Sequence, residues 1–250
     1  MIVTASTGCF SELSLPDSIR RLEDLEYTSV TITISESGNQ VHPSDVMNDV
    51  ESARQLCRDT HRLNICSYWV DMELDEPDYY EKFEAICKLA KLTKVVSITM
   101  PSSRLGIPFN EEVERLRRLV EMARLDGARM SIRTQAGRLS EDPDTLTVLC
   151  DNVEGLGVTL DPSYFIFDCP KSRAQYEKIL KYVHHVLLRD TSPEAFQLRV
   201  GQGEVDYGRL VNQLRRQQYQ RGLCVDMQPL AEVDHVGELR KLRLLLESLL

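Results

Sequence analysis

The sequence lacks the features that mark nucleic-acid-binding and membrane-spanning proteins. Its 39 acidic residues outnumber its 30 basic ones, and the net charge of −9 argues against a surface that follows a phosphate backbone. No apolar stretch approaches the roughly 18 residues that a membrane span requires. The chain starts directly with an apolar run at Ile2–Ser6, without a charged leader before an apolar segment. We therefore expect a soluble cytoplasmic protein that binds neither nucleic acid nor a membrane.

Disulfide and zinc motifs are missing as well, although cysteine itself is present. No two of the seven cysteines form a Cys-x-x-Cys pair, and most lie inside apolar runs. This arrangement is typical of buried free thiols in a reducing compartment. A Gly-x-Gly-x-x-Gly motif does not follow the first apolar run, which disfavours a dinucleotide-binding sheet. The cysteines are Cys9, Cys57, Cys66, Cys87, Cys150, Cys169 and Cys224.

Short β-rich runs alternate with amphipathic segments along all 250 residues. Strands are predicted at 2–6, 29–35, 63–70, 95–100, 130–134, 158–161, 183–189 and 223–227. Helices are predicted to begin at Ser14, near Ser44 and at Asn110 and Asp142, and to cover about 77–91, 171–181, 206–219 and 234–250. Eight such units without a linker or composition break predict one α/β domain over residues 1–250, a (β/α)8 TIM barrel. The alternative is a doubly wound open sheet.

Three apolar runs in the second half of the chain end in an aspartate, at Asp161, Asp190 and Asp226. Nearly uncharged runs are typical of strands buried on both faces, and a TIM barrel builds its site from residues at the C-terminal ends of its strands. The glycines in the loop after the seventh strand also leave backbone N–H groups free near a helix N-terminus. Other polar or aromatic side chains at strand ends are Ser6, Thr7, Glu36, Trp69, Asp71, Ser102, Ser103, Arg104, Arg133, Gln135, Tyr164, Arg189 and Gln228.

Four motifs in order carry a resemblance to a known family. They are Gly157-Val-Thr-Leu-Asp161-Pro-Ser-Tyr164, His184-His-Val-Leu-Leu-Arg-Asp190, Gly201-Gln-Gly-Glu-Val-Asp-Tyr207 and Gly222-Leu-Cys-Val-Asp226. They resemble the sugar phosphate isomerase/epimerase family, in the xylose isomerase-like TIM barrel group that also contains endonuclease IV-type enzymes. The clear match covers about residues 130–230, and the rest of the chain agrees only in its alternation of strands and helices.

The resemblance implies a metal site of which only part is retained here. Family members hold a divalent ion with a Glu after strand five, an Asp after six, a His on seven and a Glu after eight. These positions are Arg133, Asp161, Leu187 and Asp226 in this chain, and Tyr164 replaces a substrate-binding His. The resemblance therefore implies either no cofactor or a weakly bound divalent metal (Mg, Mn or Zn) on Asp161 and Asp226.

Charge considerations suggest what replaces the metal. A guanidinium at Arg133 should point into the space between Asp161 and Asp226 and could satisfy both carboxylates. Without some cation there, two converging buried carboxylates would raise each other's pKa. Our hypothesis is that Arg133 serves as the positive centre of this site.

Two functions remain open from the sequence. The first is an isomerase or epimerase acting on a small sugar or hydroxy-carbonyl compound, with Asp161, Asp226 and Glu204 as candidate proton-transfer groups. The second is a non-catalytic family member that binds a sugar-like ligand or a protein partner, as a monomer or homodimer. An endonuclease IV-like repair enzyme is a remote third possibility, because it needs a His-rich zinc cluster. The candidate substrate contacts are Trp69, Arg133, Gln135, Tyr164, His185 and Arg199.

Overall fold

The computed structural model describes residues 1–60, 62–168 and 175–250. Eight parallel strands follow one another around a closed barrel, and β1 pairs with β8 to complete it. The predicted (β/α)8 TIM barrel is thereby confirmed. The strands are β1 (Ile2–Ser6), β2 (Ser29–Ser35), β3 (Asn64–Asp71), β4 (Ser97–Pro101), β5 (Arg129–Arg133), β6 (Gly157–Leu160), β7 (Val183–Leu188) and β8 (Gly222–Val225).

Helices follow the strands and cover the barrel from outside. None of those in the described part of the chain is both long and apolar enough to cross a membrane. The α-helices are α1 (Leu15–Asp24), α2 (Pro43–Asn48), α3 (Val50–Arg58), α4 (Tyr79–Thr93), α5 (Phe109–Leu125), α6 (Pro143–Asn152), α7 (Tyr207–Arg216) and α8 (His235–Ser248). Short 3-10 helices lie at Thr7–Phe10, Leu139–Glu141, Pro162–Phe165 and Tyr176–Tyr182.

Three predicted helices differ from the structure. The one expected near Ser44 is divided at Asp49, whose extended backbone ends α2 and whose carboxylate caps α3. The one expected at Asn110 begins a residue earlier, because Pro108 rather than Asn110 occupies the capping position. Of the helix predicted at 171–181, residues 171–174 lie outside the described residues, as does Cys169, and the remainder forms a 3-10 helix.

The interior of the barrel is polar beneath its C-terminal end. Thr99 on β4 shares a hydrogen bond of 2.7 Å with Thr159 on β6, and Thr31 on β2 shares one of 3.1 Å with His185 on β7. Both bonds join strands that are not neighbours, so these side chains face the interior. Because side chains alternate along a strand, residues two positions further on face the same way at the C-terminal end. Asp161 lies two residues after Thr159, so its side chain points inward at the C-terminal opening of the barrel.

Candidate functional site

Two arginines and two aspartates form an alternating ring at the C-terminal end of the barrel. Arg133 Nη2 lies 2.7 Å from Asp161 Oδ2 and 3.4 Å from Asp226 Oδ2. Arg189 Nη2 lies 2.6 Å from Asp226 Oδ2 and 3.3 Å from Asp161 Oδ2. Each carboxylate therefore contacts both guanidinium groups. We call these four side chains the charged ring, and the predicted position of Arg133 between the two aspartates is confirmed.

Burial strengthens the interactions of the charged ring. The Asp161 side chain is fully buried, while that of Asp226 keeps 14% of its surface exposed. Although burial acts to raise the pKa of Asp161, the charges of Arg189 and Arg133 hold it below its usual range. Burial acts to lower the pKa of Arg133, but the two carboxylates raise it above its ordinary value. Asp161 and Arg133 are therefore both ionised at neutral pH.

Hydrogen bonds fix the backbone that carries the ring. The Thr134 hydroxyl accepts from the Asp161 N–H at 2.8 Å and donates to the Asp161 carbonyl oxygen at 3.2 Å, which ties the end of β5 to the end of β6. The Ser140 hydroxyl donates to the Arg133 carbonyl oxygen at 2.6 Å. Asp161 Oδ1 also accepts the Ser163 N–H at 3.1 Å. The ring is thus held from the backbone side as well as by its own ion pairs.

Aromatic rings flank the two guanidinium groups. Arg133 Cζ lies 5.1 Å from the ring centroid of Trp69 and 5.6 Å from that of Tyr164. Arg189 Cζ lies 4.7 Å from the ring centroid of Phe196. All three aromatic residues are half-buried, so part of each side chain remains accessible. We call the charged ring together with these three aromatic side chains the mouth.

The loop after β7 is organised by Asp190 and leaves few N–H groups for a ligand. Asp190 Oδ2 accepts the N–H groups of Gly201 at 2.6 Å and Gly203 at 3.1 Å, and Oδ1 accepts that of Thr191. A Cβ atom on Gly203 would lie 2.3 Å from Asp190 Oδ1, so the loop requires glycine there. The expectation that the glycines of this loop leave their N–H groups free is wrong for Gly201 and Gly203, because Asp190 accepts both.

The other residues predicted for the site from the sequence do not join the charged ring. Gln135 follows β5 at the mouth, and its Oε1 is buried without a hydrogen-bond partner among the described residues. His185 lies in the polar interior bonded to Thr31, where burial lowers its pKa to about 4, so it does not reach the mouth. Arg199 is mostly exposed and lies 3.5 Å from Glu238. Glu204 is exposed on the loop after β7, and no described contact joins it to the charged ring.

Sequence reasoning missed the role of Arg189. Arg189 was expected only as a polar side chain at a strand end, next to Asp190, and adjacent residues of a strand point to opposite sides. Arg189 instead follows His185 and Leu187 at two-residue spacing and joins the charged ring. This two-residue spacing in the sequence already indicated that the Arg189 side chain faces the interior. For Phe196, which lies in an irregular loop, the sequence contained no comparable signal.

Asp71 is a second carboxylate whose position emerges from the structure. It follows Trp69 by two residues on β3 and therefore points to the same side of the strand. Its carboxylate makes no hydrogen bond or ion pair with the described residues. Although Asp71 is exposed, desolvation by its neighbours and the charge of Glu73 raise its pKa above the ordinary value, against the opposing effect of Arg138 and Arg133. Asp71 is thus a carboxylate near the mouth that forms no ion pair with an arginine among the described residues.

The donor set at the four ligand positions does not fit a divalent ion. Leu187 is buried and has no donor atom, and Arg133 is a cation. The two carboxylates, Asp161 and Asp226, are both in contact with guanidinium groups. In the described ranges, no group of three or more His, Cys, Asp or Glu side chains could share an ion. A divalent cation here would have to displace two arginines and then rely on two protein ligands.

The chain belongs to the xylose isomerase-like TIM barrel family, whose profile matches residues 19–242. No curated protein sequence matches the chain. Among solved structures it is similar to the probable 3-DHS dehydratase AsbF of Bacillus anthracis, with 13% identity, a TM-score of 0.72 and 99% of each chain covered. It is also similar to a 3-keto-D-glucoside 4-epimerase from E. coli, with 14% identity, a TM-score of 0.74 and 99% of each chain covered.

A third structure bears on the metal question. It is a xylose isomerase-like TIM barrel protein from Mycobacterium smegmatis in complex with magnesium, with 16% identity and a TM-score of 0.74. The alignment covers 100% of this chain and 98% of that one. At such identities the likeness shows the shared fold alone. Whether this chain also binds magnesium has to be argued from its own side chains.

Proposed function

We propose that the mouth binds a small sugar or hydroxy-carbonyl compound without a divalent metal, and that Arg133 and Arg189 supply the positive charge at the site. The observation that carries this proposal is the pair of guanidinium groups lying between Asp161 and Asp226, at 2.7 and 2.6 Å from their nearest carboxylates. Two cations are thus built into the space where family members hold an ion.

The surroundings of the ring suit a carbohydrate-like ligand. The accessible rings of Trp69 and Tyr164 offer apolar faces on which the C–H groups of a sugar can pack. Gln135 Oε1 has no described partner and is available to accept from a ligand hydroxyl. Asp226 retains exposed surface on one side of the ring. Polar groups beside apolar surfaces are the usual composition of a small-molecule site.

Calorimetry with a panel of aldoses, ketoses and their phosphates, in buffer containing EDTA, tests this binding. Trp69→Ala and Tyr164→Ala should weaken binding about tenfold, which corresponds to the loss of one ring contact. Tyr80→Ala is the matched control, because Arg118 lies 3.5 Å over the Tyr80 ring outside the mouth. Binding that EDTA abolishes in the wild type, or that the control weakens equally, would contradict the proposal.

Restoring the family's ligands tests the replacement of the metal by arginine. Arg133→Glu combined with Leu187→His places carboxylate and imidazole donors at two of the four ligand positions. This variant should bind Mn²⁺ with at least about tenfold higher affinity than the wild type, since it gains two donors and loses a cation. Titration calorimetry and elemental analysis provide the readout. Tight stoichiometric metal in the wild type would show that the guanidinium groups do not occupy the site in solution.

A second candidate function, metal-independent isomerisation or epimerisation, is favoured by Asp71. Asp161 is fully buried and held by both arginines, so it is poorly placed to accept a proton. Asp71 has no such partner, and its raised pKa brings it nearer to the range of a working base. In isomerisation Asp71 takes the proton from the carbon beside the ligand carbonyl and returns it to the former carbonyl carbon, while the hydroxyl proton moves to the former carbonyl oxygen. In epimerisation the enediolate has to turn over in the mouth, so that Asp71 returns the proton to the opposite face of the same carbon. Arg133 stabilises the negative charge on the enediolate oxygen in between.

Proton exchange in D2O distinguishes catalysis from binding. Incubation with the ligand panel, followed by ¹H NMR, should show deuterium entering at the carbon beside the carbonyl. Asp71→Asn should abolish this exchange while leaving binding within a few fold. Asp75→Asn serves as the control, because Asp75 is exposed in the loop that follows. Binding without exchange in the wild type would leave ligand binding as the function and remove the catalytic candidate.

A further inference from the structure

A pocket of about 260 Å³ opens at the opposite, N-terminal end of the barrel. Its lining residues come from the beginnings of β1, β3, β4, β5, β7 and β8 and the positions just before them. We call it the basal pocket. It is lined by Ile2, Ile65, Cys66, Lys94, Val96, Ser97, Arg129, His184, His185, Arg221 and Gly222. None of these residues belongs to the mouth.

The basal pocket carries positive charge without a compensating carboxylate. Lys94, Arg129 and Arg221 line it, and its described lining contains no Asp or Glu. The Arg129 side chain makes no hydrogen bond or ion pair with the described residues, and Arg221 donates only to the Val183 carbonyl oxygen at 3.4 Å. This is unusual in a protein with net charge −9, whose acidic residues outnumber the basic ones.

Other arginines on nearby helices show what ordinary pairing looks like in this chain. Arg117 lies 2.7 Å from Glu114, and Arg124 lies 2.8 Å from Glu121, each on the same helix three residues apart. Arg129 and Arg221 lack such partners although both lie beside the same cavity. The difference marks these two guanidinium groups as available for a ligand.

The two arginines are also close enough to oppose each other. Burial and the charge of Arg129 lower the pKa of Arg221 below its ordinary value. Both arginines, after burial, lower the pKa of His184, which reaches about 4, so this imidazole in the pocket lining is neutral at pH 7. Placing two like charges together without an anion destabilises the unliganded protein. An anion between them would reverse that effect.

We propose that the basal pocket binds a small phosphate-type oxyanion, held between Arg129 and Arg221 with Lys94 at the rim. Three cations match the charge of a phosphate dianion better than that of a single carboxylate. The side chains of Ile2, Ile65 and Val96 supply an apolar wall beside them. This wall suits the carbon skeleton of a phosphomonoester, whereas inorganic phosphate uses only the cations.

Calorimetry in phosphate-free buffer at low ionic strength tests the site with two probes, inorganic phosphate and phenyl phosphate. Arg129→Ala and Arg221→Ala should each weaken phosphate binding about tenfold. Arg124→Ala is the control and should change nothing, because Arg124 pairs with Glu121 outside the basal pocket. Phenyl phosphate binding more tightly than phosphate would indicate a phosphomonoester, and equal affinity would indicate free phosphate. The absence of binding, or unchanged affinity in both variants, would overturn the proposal.

Unliganded stability gives an independent readout. Arg129→Ala should unfold at the same or a higher temperature than the wild type, because it removes a repulsion and no ion pair. Added phosphate should raise the unfolding temperature of the wild type by more than that of the variant at the same phosphate concentration. A lower unfolding temperature without ligand would assign Arg129 a structural role and contradict the proposal. Neither variant alters the mouth, so these results are separable from the sugar-binding experiments.

Discussion

At the C-terminal end of the barrel each arginine contacts two aspartates, whereas at the N-terminal end Arg129 and Arg221 face a pocket whose described lining has no carboxylate. The C-terminal pair is nearly fully buried, and the N-terminal pair is half-buried or exposed. Burial explains the difference, since an uncompensated charge costs several kcal/mol in the interior and little at the surface. We therefore expect that breaking the charged ring destabilises the fold and that removing a basal arginine does not.

The largest expected effect separates these two regions by stability. Asp161→Asn leaves the buried guanidinium groups of Arg133 and Arg189 with one carboxylate between them. We expect a loss of about 3–5 kcal/mol in the free energy of unfolding, as for breaking a buried ion pair. Urea unfolding followed by circular dichroism measures it, with Asp75→Asn as the exposed control. A loss as small as that of the control would mean that the ring is open to water.

Removing one arginine from each end sharpens the comparison. Arg189→Ala deletes a guanidinium that lies 2.6 Å from Asp226 and 3.3 Å from Asp161. Because Arg133 still contacts both carboxylates, we expect a smaller loss of about 1.5–3 kcal/mol. Arg129→Ala should leave the free energy of unfolding unchanged or raise it. Equal destabilisation by the two variants in the same urea titration would refute the distinction between the two ends.

The charged ring should also change how the stability of the protein depends on pH. The pKa of Asp161 is lower in the folded protein than its ordinary value, so its contribution to stability is fully present above about pH 4. That contribution is lost as the pH falls through the folded-state pKa. The stability difference between wild type and Asp161→Asn should therefore be constant from pH 7 to about pH 5 and shrink below pH 4. A difference that already shrinks near pH 6 would indicate a raised pKa.

The smallest expected effect concerns the two adjacent histidines near the basal pocket. Burial, as the main cause, lowers the pKa of both His184 and His185 to about 4. Because unfolding restores the ordinary value near 6.5, their contribution to stability is present above that pH and is lost as the pH falls towards 4. NMR titration should show both imidazoles neutral at pH 6. A midpoint near 6.5 for either would mean that water reaches it.

Much of the barrel and part of the charged ring could be predicted from local patterns. The nearly uncharged runs that end at Asp161 and Asp226 mark buried strands. The family resemblance, together with charge considerations, led to the expectation that Arg133 lies between those carboxylates. The role of Arg189 was missed, although alternate side chains of a strand face the same side and the series His185, Leu187, Arg189 points inward. His185 was placed in the site because the sequence does not show depth along the barrel axis. It lies three residues before the end of β7, in the interior.

The sequence by itself determined the strand order and the inward-facing period, because these depend on residue type and spacing along the chain. The family resemblance added the expectation that Arg133 and Leu187 stand at two of the four metal-ligand positions. Only the tertiary structure decided which charges meet. Asp161, Arg189 and Asp226 come from three different strands, and their contacts depend on how the closed barrel aligns the strand ends. The same closure brings Arg129 and Arg221 to one pocket, a juxtaposition of residues 92 positions apart that no local pattern contains.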